Sequence, residues 1–221
     1  MQVQNYHVSY GQSEVLHGLE FEVNPGEIVA LVGRNGMGKT TLMKSLMGIV
    51  PATQGKMLLN NEDMTGFLSH ERVSRGVAYV PQGRMIFPTM TVEENIETGL
   101  AASNRKTIPD EIYDLFPVLK EMRTRRGGNL SGGQQQQLAI ARALVSEPKV
   151  LLLDEPTEGI QPSIIKELAQ VLKRIRDERG LSILVSEQVL SFVMDASDRI
   201  MVIENGRIVH DGKGNFSVQG N

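Results

Sequence analysis

The chain has 221 residues, of which 40% are hydrophobic and 22% charged, a balance typical of one α/β domain or a domain with a subdomain. Its net charge of −3 gives no electrostatic case for nucleic-acid binding, and the absence of cysteine excludes disulfides and thiolate chemistry. No apolar run approaches the roughly 18 residues of a membrane-spanning helix, and the N-terminus lacks the features of a signal peptide. We therefore expect a globular protein of the reducing cytoplasm, in which the Asn-Phe-Ser pattern at 215–217 is a chance glycosylation match.

The N-terminal part of the chain has the pattern of β-structure. Residues 3–9 and 16–23 alternate between apolar and polar side chains, which predicts two half-buried strands. After a Pro-Gly turn, the continuously apolar run Ile28–Val32 predicts a fully buried strand. Further strands are predicted at 56–60, 77–80, 150–153, 182–185, 199–204 and 207–209, and an Asn-Gly turn joins the last two.

The middle of the chain changes to helical periodicity, and a long amphipathic helix follows later. Because apolar strands alternate with helices, we predict an α/β fold with a mainly parallel sheet covered on both faces. We expect a single domain over 1–221, with an α/β core and an N-terminal antiparallel β-subdomain in about 1–83 and 146–221. An inserted α-helical subdomain is expected over about 84–145. Helices are predicted at 92–100, 110–115, 134–145 and 163–179, the last ended by Gly180.

The residues GRNGMGKT at 33–40 match the pattern G-x-x-x-x-G-K-[ST] between a buried strand and a helix predicted at 41–47. Such a loop exposes backbone N–H groups at a helix N-terminus, where they bind phosphates, so the pattern predicts a P-loop (RecA-like) core. Lys39 would place a cation on the β- and γ-phosphates of a nucleotide, Thr40 would place a hydroxyl on Mg²⁺, and Met37 must point away from the nucleotide. The alternative is a glycine-rich turn that matches by chance. The predicted nucleotide-binding residues here are Gly33, Arg34, Asn35, Gly36, Gly38, Lys39, Thr40 and Thr41.

Two acids, Asp154 and Glu155, end the apolar run at 150–153. Carboxylates at the end of a buried strand are costly unless they face a cation or a ligand. Beside a phosphate loop, Asp154 would reach Mg²⁺ and Glu155 would deprotonate the attacking water. The alternative is that they cap the following helix.

The residues LSGGQ at 130–134 precede another predicted helix. Ser131 is a favourable N-cap, and the glycines free the backbone, so the helix N-terminus could accept an anion. Physical arguments alone favour the simpler interpretation, which is an ordinary capped helix.

These motifs together resemble ABC-transporter ATPase subunits over essentially the whole chain. The phosphate loop, Gln82 after the residues YVP, the LSGGQ motif and the residues DEPT at 154–157 occur in the family's order and spacing. The resemblance implies that two such domains pair head to tail, with each ATP held between one phosphate loop and the partner's LSGGQ. It further implies that Gln82 touches Mg²⁺ and links to the membrane subunit, and that Tyr10 stacks on adenine, with a core aromatic as the less favoured alternative for Tyr10. The residues implied to serve the partner's nucleotide are Ser131, Gly132, Gly133 and Gln134.

At two positions the sequence departs from the usual family pattern, and these departures indicate one branch of the family. Gln188 stands where the family usually has histidine, and Gln161 stands for the usual aspartate after DEPT. A glutamine can hydrogen-bond the γ-phosphate but cannot carry an imidazolium charge. Both departures resemble the branch that imports branched-chain amino acids, amides and urea. Within it, the segments 126–128, 134–137 and 158–166 look most like the urea-importer ATPase.

The resemblance implies a cytoplasmic Mg²⁺-dependent ATPase subunit of a bacterial ABC importer, held peripherally at the inner face of the membrane. Its cofactors would be ATP and Mg²⁺, and its solute would be urea or short amides, with branched-chain amino acids as the alternative. A soluble ABC ATPase of translation or DNA repair and a non-catalytic regulatory domain fit less well. The implied partners are a paralogous or identical ATPase subunit, two permease subunits and a solute-binding protein, without nucleic acid. The implied catalytic residues are Glu155, Gln188 and Lys39, and the implied metal ligands are Thr40, Gln82 and Asp154.

Overall fold

The computed structural model describes residues 1–213, so the pattern at 215–217 and the end of the expected domain lie outside the described residues. The strands predicted from alternation and apolar runs are all present, with boundaries that differ by a few residues. The strands are β1 Gln2–Tyr10, β2 Ser13–Glu22, β3 Ile28–Val32, β4 Gln54–Leu59, β5 Glu62–Asp63, β6 Val77–Val80, β7 Val150–Asp154, β8 Ser182–Glu187, β9 Arg199–Glu204 and β10 Arg207–Gly212.

The helices predicted from periodicity are also present. The predicted helices at 92–100 and 110–115 have the observed bounds, and the long helix ends, as expected, before Gly180 in the left-handed conformation. The short helices α2, α5 and α8 were not predicted, because runs of five to seven residues cover fewer than two turns and give only a weak apolar periodicity, although the equally short helix at 110–115 was predicted. The helices are α1 Lys39–Leu46, α2 Ser69–Ser74, α3 Val92–Leu100, α4 Asp110–Leu115, α5 Pro117–Glu121, α6 Gly132–Leu144, α7 Pro162–Arg179 and α8 Leu190–Ala196.

A six-stranded sheet in the order β10-β9-β3-β8-β7-β6 forms the centre of the fold. All of its neighbouring strands run parallel except β10, which returns beside β9 as an antiparallel hairpin. Asn205 and Gly206 in the hairpin turn both have positive φ, as the predicted Asn-Gly turn requires. The mainly parallel α/β sheet predicted from the sequence is therefore confirmed.

A second, four-stranded antiparallel sheet has the order β2-β1-β4-β5. The predicted strand at 56–60 joins the N-terminal strands here, since Met57 of β4 pairs with Val3 of β1. This sheet is the expected antiparallel β-structure, and β2 reaches the central sheet through the hydrogen bond from the His17 backbone N–H to the carbonyl of Gly206, 2.9 Å.

The central sheet separates two layers of hydrophobic core. Along β3, Ile28 and Ala30 pack into one core with α3 to α7, whereas Val29 and Leu31 pack into the other with α1 and the antiparallel sheet. Successive side chains of a strand point to opposite faces, so a strand covered on both faces must be apolar throughout. Helices α3 to α6 all follow β6 and precede β7 in the chain. No helix within residues 1–213 combines the length and apolar character needed to cross a membrane.

Candidate functional site

Three adjacent strands of the central sheet end at one edge and bring the predicted site together. Val32 at the end of β3 pairs with Glu187 at the end of β8, and Asp154 at the end of β7 pairs with Ser186. Because parallel strands point the same way, their carboxyl ends meet at this edge, where α/β sheets characteristically bind ligands.

A cleft of about 850 Å³ opens at this edge and contains most of the predicted site residues. It is open to solvent at the surface, and its walls come from the phosphate loop, the turn after β7 and the end of β8. Its lining residues are Val15, Asn35, Gly36, Gly38, Lys39, Thr40, Thr41, Gln82, Glu155, Thr157, Glu158, Gly159, Ile160, Ile165, Glu187, Gln188 and Val189.

The phosphate loop adopts a backbone that only glycine permits at two positions. Gly38, the N-cap of α1, has φ 108°, and a Cβ on Gly33 would lie 2.6 Å from the carbonyl oxygen of Ile203. No side chain caps the N-terminus of α1, and no acidic residue occupies its first turn. The N–H groups and the positive end of the helix dipole therefore remain available to an anion.

Lys39 is buried, with 4% of its surface exposed, and its ammonium contacts both the loop and the opposite wall. Nζ donates to the carbonyl oxygens of Gly33 at 2.7 Å and Arg34 at 3.2 Å, and lies 3.2 Å from Oε1 of Glu155. The ammonium is thus held over the phosphate loop, where a compact cation can bind phosphate oxygens.

Asp154 is buried, and its carboxylate accepts hydrogen bonds only from hydroxyl groups. Ser186 Oγ donates to Oδ1 at 2.5 Å, Thr40 Oγ1 to Oδ1 at 3.3 Å, and the Tyr79 hydroxyl to Oδ2 at 3.3 Å. Burial and the nearby Asp154 charge raise the pKa of the Tyr79 hydroxyl well above its usual range, so it stays a donor. Among residues 1–213 no cationic side chain lies within ion-pair distance of Asp154, a surrounding that suits a carboxylate facing Mg²⁺.

Glu155 occupies a left-handed backbone conformation with φ 45°, which is uncommon for a non-glycine residue. Its backbone N–H donates to the carbonyl of Ser186 at 3.0 Å, which fixes the turn. The carboxylate lies 3.2 Å from the ammonium of Lys39 and accepts hydrogen bonds from Gln188 at 2.9 Å and from Gln82 at 3.4 Å. Strained backbone of this kind is found at functional sites, where surrounding contacts hold it in place.

Gln188 bridges the two walls of the cleft. Its Nε2 donates to Oδ1 of Asn35 in the phosphate loop at 2.7 Å and to Oε1 of Glu155 at 2.9 Å. The side chain is exposed, so a bound phosphate can take over either hydrogen bond.

Glu187, beside Gln188, has a structural role that the sequence did not reveal. Its side chain is buried and accepts hydrogen bonds from the backbone N–H groups of Thr157 at 3.0 Å, Gln188 at 2.7 Å and Val189 at 3.1 Å, and from the Thr157 hydroxyl. It therefore fastens the turn after β7 to the end of β8. A buried acid at a strand end was the available signal, but it pointed equally to a metal or a ligand.

The LSGGQ residues lie outside this cleft. Ser131 is exposed and caps α6: its Oγ accepts the N–H of Gln134 at 3.3 Å, and Gln134 Oε1 accepts the N–H of Ser131 at 2.9 Å. A Cβ on Gly132 would lie 2.9 Å from the carbonyl oxygen of Gly159, and one on Gly133 would lie 2.6 Å from Ile164. The two glycines therefore let α6 pack closely on the turn and the helix that follow β7.

Tyr10, Arg34 and Met37 are not among the residues that line the cleft. Tyr10, at the end of β1, is 49% exposed and so is no core aromatic, but it is not among the residues that line the cleft. Arg34 is exposed and lines a neighbouring groove. Met37 turns away from the cleft, as expected, and packs in the second core with its sulfur 3.3 Å from the backbone nitrogen of Asn205.

A second concavity, which we call the lateral groove, has a volume of about 800 Å³ and a mostly apolar lining. Met85, which is 68% exposed, and Phe87, which is 45% exposed, lie on its wall. Exposed apolar side chains in a concave surface are typical of a binding site for another protein. The lining residues are Met47, Ile49, Ser69, His70, Val73, Ser74, Ala78, Tyr79, Met85, Phe87, Thr98, Gly99, Ala101, Ala102, Ala139, Arg142, Ala143 and Ser146.

The fold and the cleft define a P-loop nucleoside triphosphatase, and comparison with known proteins specifies the family. The family model described as ABC transporter matches residues 16–158. The chain is 42% identical over 206 residues to the high-affinity branched-chain amino acid transport ATP-binding protein BraG of Pseudomonas aeruginosa, covering 91% of this chain and 88% of that protein. It is 34% identical over 209 residues to the probable branched-chain amino acid transport ATP-binding protein LivF of Archaeoglobus fulgidus, covering 93% and 89%. It superposes with a TM-score of 0.85 and 26% identity on a nucleotide-free ATP-binding cassette from an ABC transporter, covering 97% of this chain and 91% of that one.

The chain therefore belongs to the ABC transporter family, as one of its ATP-binding subunits. It is an ATPase that uses ATP with Mg²⁺ and couples hydrolysis to transport. It works as a dimer of ATPase subunits together with permease subunits.

The side chains present fit Mg²⁺. The hydroxyl of Thr40 and the carboxylate of Asp154 supply the oxygen ligands that this ion prefers. Residues 1–213 contain no group of three or more His, Cys, Asp or Glu side chains able to hold a metal. Mg²⁺ typically keeps several waters and binds through one or two carboxylates together with substrate phosphates, and the Thr40–Asp154 pair is compatible with that mode.

Proposed function

We propose that this chain is the ATP-hydrolysing subunit of an importer for branched-chain amino acids. The cleft that combines a phosphate loop, Glu155 and Gln188 carries the ATPase part of the proposal. The names of the two relatives reported above support the solute, since both are described as branched-chain amino acid transport proteins. An importer of this kind works with a solute-binding protein and would hold this subunit peripherally at the inner face of the membrane.

In this proposal the phosphate loop and the start of α1 bind the triphosphate, and Lys39 contacts its β- and γ-oxygens. Mg²⁺, when bound, neutralises phosphate charge, and Thr40, Asp154 and Gln82 would hold it. Glu155 accepts a proton from the attacking water. Gln188 donates to a γ-phosphate oxygen and positions that water. The remaining nucleotide contacts are assigned to Tyr10 at the adenine and to Gly33, Arg34, Asn35, Gly36, Gly38 and Thr41 along the phosphates.

Glu155 has to exchange partners before it can act as a base. Its carboxylate lies beside the Lys39 ammonium and the Gln188 amide, and both of these groups can bind phosphate instead. Arrival of the γ-phosphate therefore draws Lys39 and Gln188 toward its oxygens and frees Glu155 for water. The base is ready only when ATP is present.

The second half of the nucleotide site comes from the partner ATPase subunit. Ser131, Gly132, Gly133 and Gln134 lie at an exposed helix N-terminus outside the cleft of their own chain. We propose that they contact the nucleotide bound by the partner, where the helix dipole and the Ser131 hydroxyl stabilise γ-phosphate charge. The division into an α/β core of about 1–83 and 146–221 and a helical subdomain of about 84–145 would let these residues move as a unit.

The lateral groove is proposed to receive a cytoplasmic segment of a permease subunit. Its apolar wall at Met85 and Phe87 lies five residues or fewer from Gln82, which lines the nucleotide cleft. Single cysteines at Met85 or Phe87 should crosslink to a permease cysteine in a nucleotide-dependent way, and the chain has no native cysteine to interfere. Crosslinking only from the opposite face of the protein would contradict this placement.

A second candidate solute is urea or a short amide, favoured by the similarity of segments 126–128, 134–137 and 158–166 to urea-importer ATPases. The test is solute-stimulated ATPase activity of the assembled transporter in the presence of its solute-binding protein. Leucine, isoleucine or valine should stimulate, and urea and acetamide should not. Stimulation by urea alone would replace the proposed solute without affecting the assignment as an ATPase.

A further inference from the structure

The segment 83–85 lies between the nucleotide cleft and the lateral groove and has an unusual backbone. Gly83, Arg84 and Met85 have consecutive positive φ angles of 78°, 66° and 46°. Two of these residues are not glycine, and such residues stay in the left-handed region only where other contacts hold them there. Backbone hydrogen bonds from the N–H of Arg84 to the carbonyl of Pro81 at 3.0 Å and from Met85 to Gly83 at 2.7 Å hold the turn from within, and the contacts of Arg84 hold it from outside.

On the cleft side, the Arg84 guanidinium contacts the turn that follows β7. Nη2 donates to the carbonyl oxygen of Glu158 at 2.5 Å. A Cβ on Gly159 would lie 3.5 Å from the same nitrogen, and a Cβ on Gly132 would lie 3.4 Å from it. Glu158 and Gly159 line the cleft, and Gly132 begins α6, so one side chain hydrogen-bonds the cleft wall and lies beside the start of α6.

On the groove side, the Arg84 backbone is held by Arg142 of α6. Arg142 Nη2 donates to the carbonyl oxygen of Arg84 at 3.2 Å, and its guanidinium lies over the Phe87 ring at 5.3 Å. Met85, Phe87 and Arg142 all line the lateral groove. A segment bound in the groove must therefore contact groups that fix the backbone of Arg84.

We propose that Arg84 is a positioning residue that transmits occupancy of the lateral groove to the nucleotide site. The inference rests on the proposed function, because the occupant is a permease segment. Contact with Met85 and Phe87 alters the 83–85 turn, and the hydrogen bond to Glu158 carries that change to the cleft wall. Gly132 lies beside the same guanidinium, so the start of α6 responds with it. Solute-stimulated hydrolysis depends on Arg84, whereas ATP binding does not.

The experiment uses the transporter reconstituted with its permease subunits and solute-binding protein, and compares wild type with Arg84→Ala and Arg84→Lys. In Arg84→Ala, stimulated turnover should fall about tenfold, while KM for ATP and unstimulated turnover stay within about twofold. Arg84→Lys should keep at least about half of the stimulation, because an ammonium can still donate to the Glu158 carbonyl. Arg105→Ala is the matched control, since it removes an arginine whose ion pair with Glu147 is exposed.

Three outcomes would overturn the inference. Full stimulation of ATP hydrolysis in Arg84→Ala would show that the contacts of Arg84 do not couple the lateral groove to the nucleotide site. An equal loss of stimulated and unstimulated turnover, unrelieved by Arg84→Lys, would make Arg84 merely structural. A wild-type transporter that no solute or permease stimulates would refute the proposed function itself, and the inference with it.

Discussion

Helix α1 begins at the end of the phosphate loop, and helix α6 begins within the LSGGQ motif. Both N-termini are rich in glycine, but they differ in how their backbone N–H groups are satisfied. The start of α1 has no side-chain cap. The start of α6 has a complete capping box, in which Ser131 and Gln134 satisfy each other's N–H groups. An uncapped helix N-terminus that faces a cleft leaves its N–H groups free for an external anion, whereas a capping box satisfies two of them within the chain.

The side chains around the two helix N-termini also differ. Around α1, the charged groups Lys39 and Glu155 face each other across the cleft, and Gln188 donates hydrogen bonds to Glu155 and to Asn35 of the phosphate loop. Around α6, Ser131 is exposed and Gly132 packs on the turn at Gly159. We therefore propose that the first end forms a site within one chain and that the second gains an anion only from another chain. The predictions below test that contrast.

The largest effect is expected for Glu155→Gln, which keeps the shape of the side chain and removes the base. Turnover should fall about 1,000-fold, because a positioned general base typically contributes 10²–10⁴-fold. The variant should still bind ATP and accumulate as an ATP-bound dimer, measured by sedimentation with Mg-ATP. Glu158→Gln, on the same cleft wall, is the control and should hydrolyse ATP at close to the wild-type rate. Wild-type turnover in Glu155→Gln would remove this residue from its role.

Lys39→Ala tests whether the start of α1 is the anion site. We expect ATP affinity to fall about 100-fold, since two charge-assisted hydrogen bonds to phosphate are lost. Thermal unfolding with and without Mg-ATP measures this as loss of the ligand-induced rise in Tm. Lys44→Ala, in the last turn of the same helix, should keep that rise. Unchanged ATP affinity in Lys39→Ala would show that the uncapped helix end binds something else.

Gln188→Ala should reduce turnover about 30-fold, equivalent to ~2 kcal/mol, because one positioned donor to the γ-phosphate is lost in the transition state. ATP affinity should change less, and Gln188→His should keep substantial activity while gaining a dependence on pH near neutrality. Steady-state ATPase of both variants in the assembled transporter is the measurement.

The neighbouring Glu187 sharpens this test. Glu187→Gln should lower the free energy of unfolding by about 1–3 kcal/mol, because buried N–H groups lose a charged acceptor. Denaturant unfolding and ATPase assays together separate the two residues. If Gln188→Ala hydrolyses ATP normally and Glu187→Gln loses turnover without losing stability, the roles of the two residues are exchanged.

Ser131→Ala tests the start of α6 through two measurements, the stability of the protein and its turnover of ATP. Removing the N-cap should cost about 1 kcal/mol of stability, and removing a donor to the partner's nucleotide should lower turnover about tenfold. Thr91→Ala is the matched control, since Thr91 and Glu94 form the same capping box on α3. The Thr91→Ala variant should lose about as much stability as Ser131→Ala and should hydrolyse ATP at the wild-type rate. Equal turnover in both variants would mean that Ser131 only caps its helix.

The sequence predicted the parts of the molecule that local patterns determine. The phosphate loop follows from its glycines and Lys39, and the sheet follows from continuous apolar runs such as Ile28–Val32. The hairpin follows from Asn205 and Gly206, whose turn chemistry is local. These features depend mainly on residues that are close together in the sequence, so they can be predicted from a single sequence.

The remaining contacts could not be predicted, because they join residues far apart in the chain through their backbones. Arg84 reaches the carbonyl of Glu158, and Glu187 accepts the N–H of Thr157, yet any residue type offers such backbone groups. The position of Ser131 outside its own cleft depends on how α6 packs on Gly159, which no periodicity encodes.

The smallest predicted effect distinguishes the two capping boxes by pH. In the α3 box, Glu94 accepts the N–H of Thr91 at 2.7 Å, and this hydrogen bond lowers the pKa of the Glu94 carboxyl. A carboxyl whose pKa is lower in the folded protein stabilises it above the unfolded pKa, and that stabilisation is lost as pH falls through the folded value. In the α6 box, Gln134 takes the place of the carboxylate and does not titrate. Amide hydrogen exchange should therefore show protection of the Thr91 N–H falling below about pH 4.5 while that of the Ser131 N–H stays constant. Parallel loss at both amides would mean that global acid unfolding, and not the Glu94 carboxylate, sets the response.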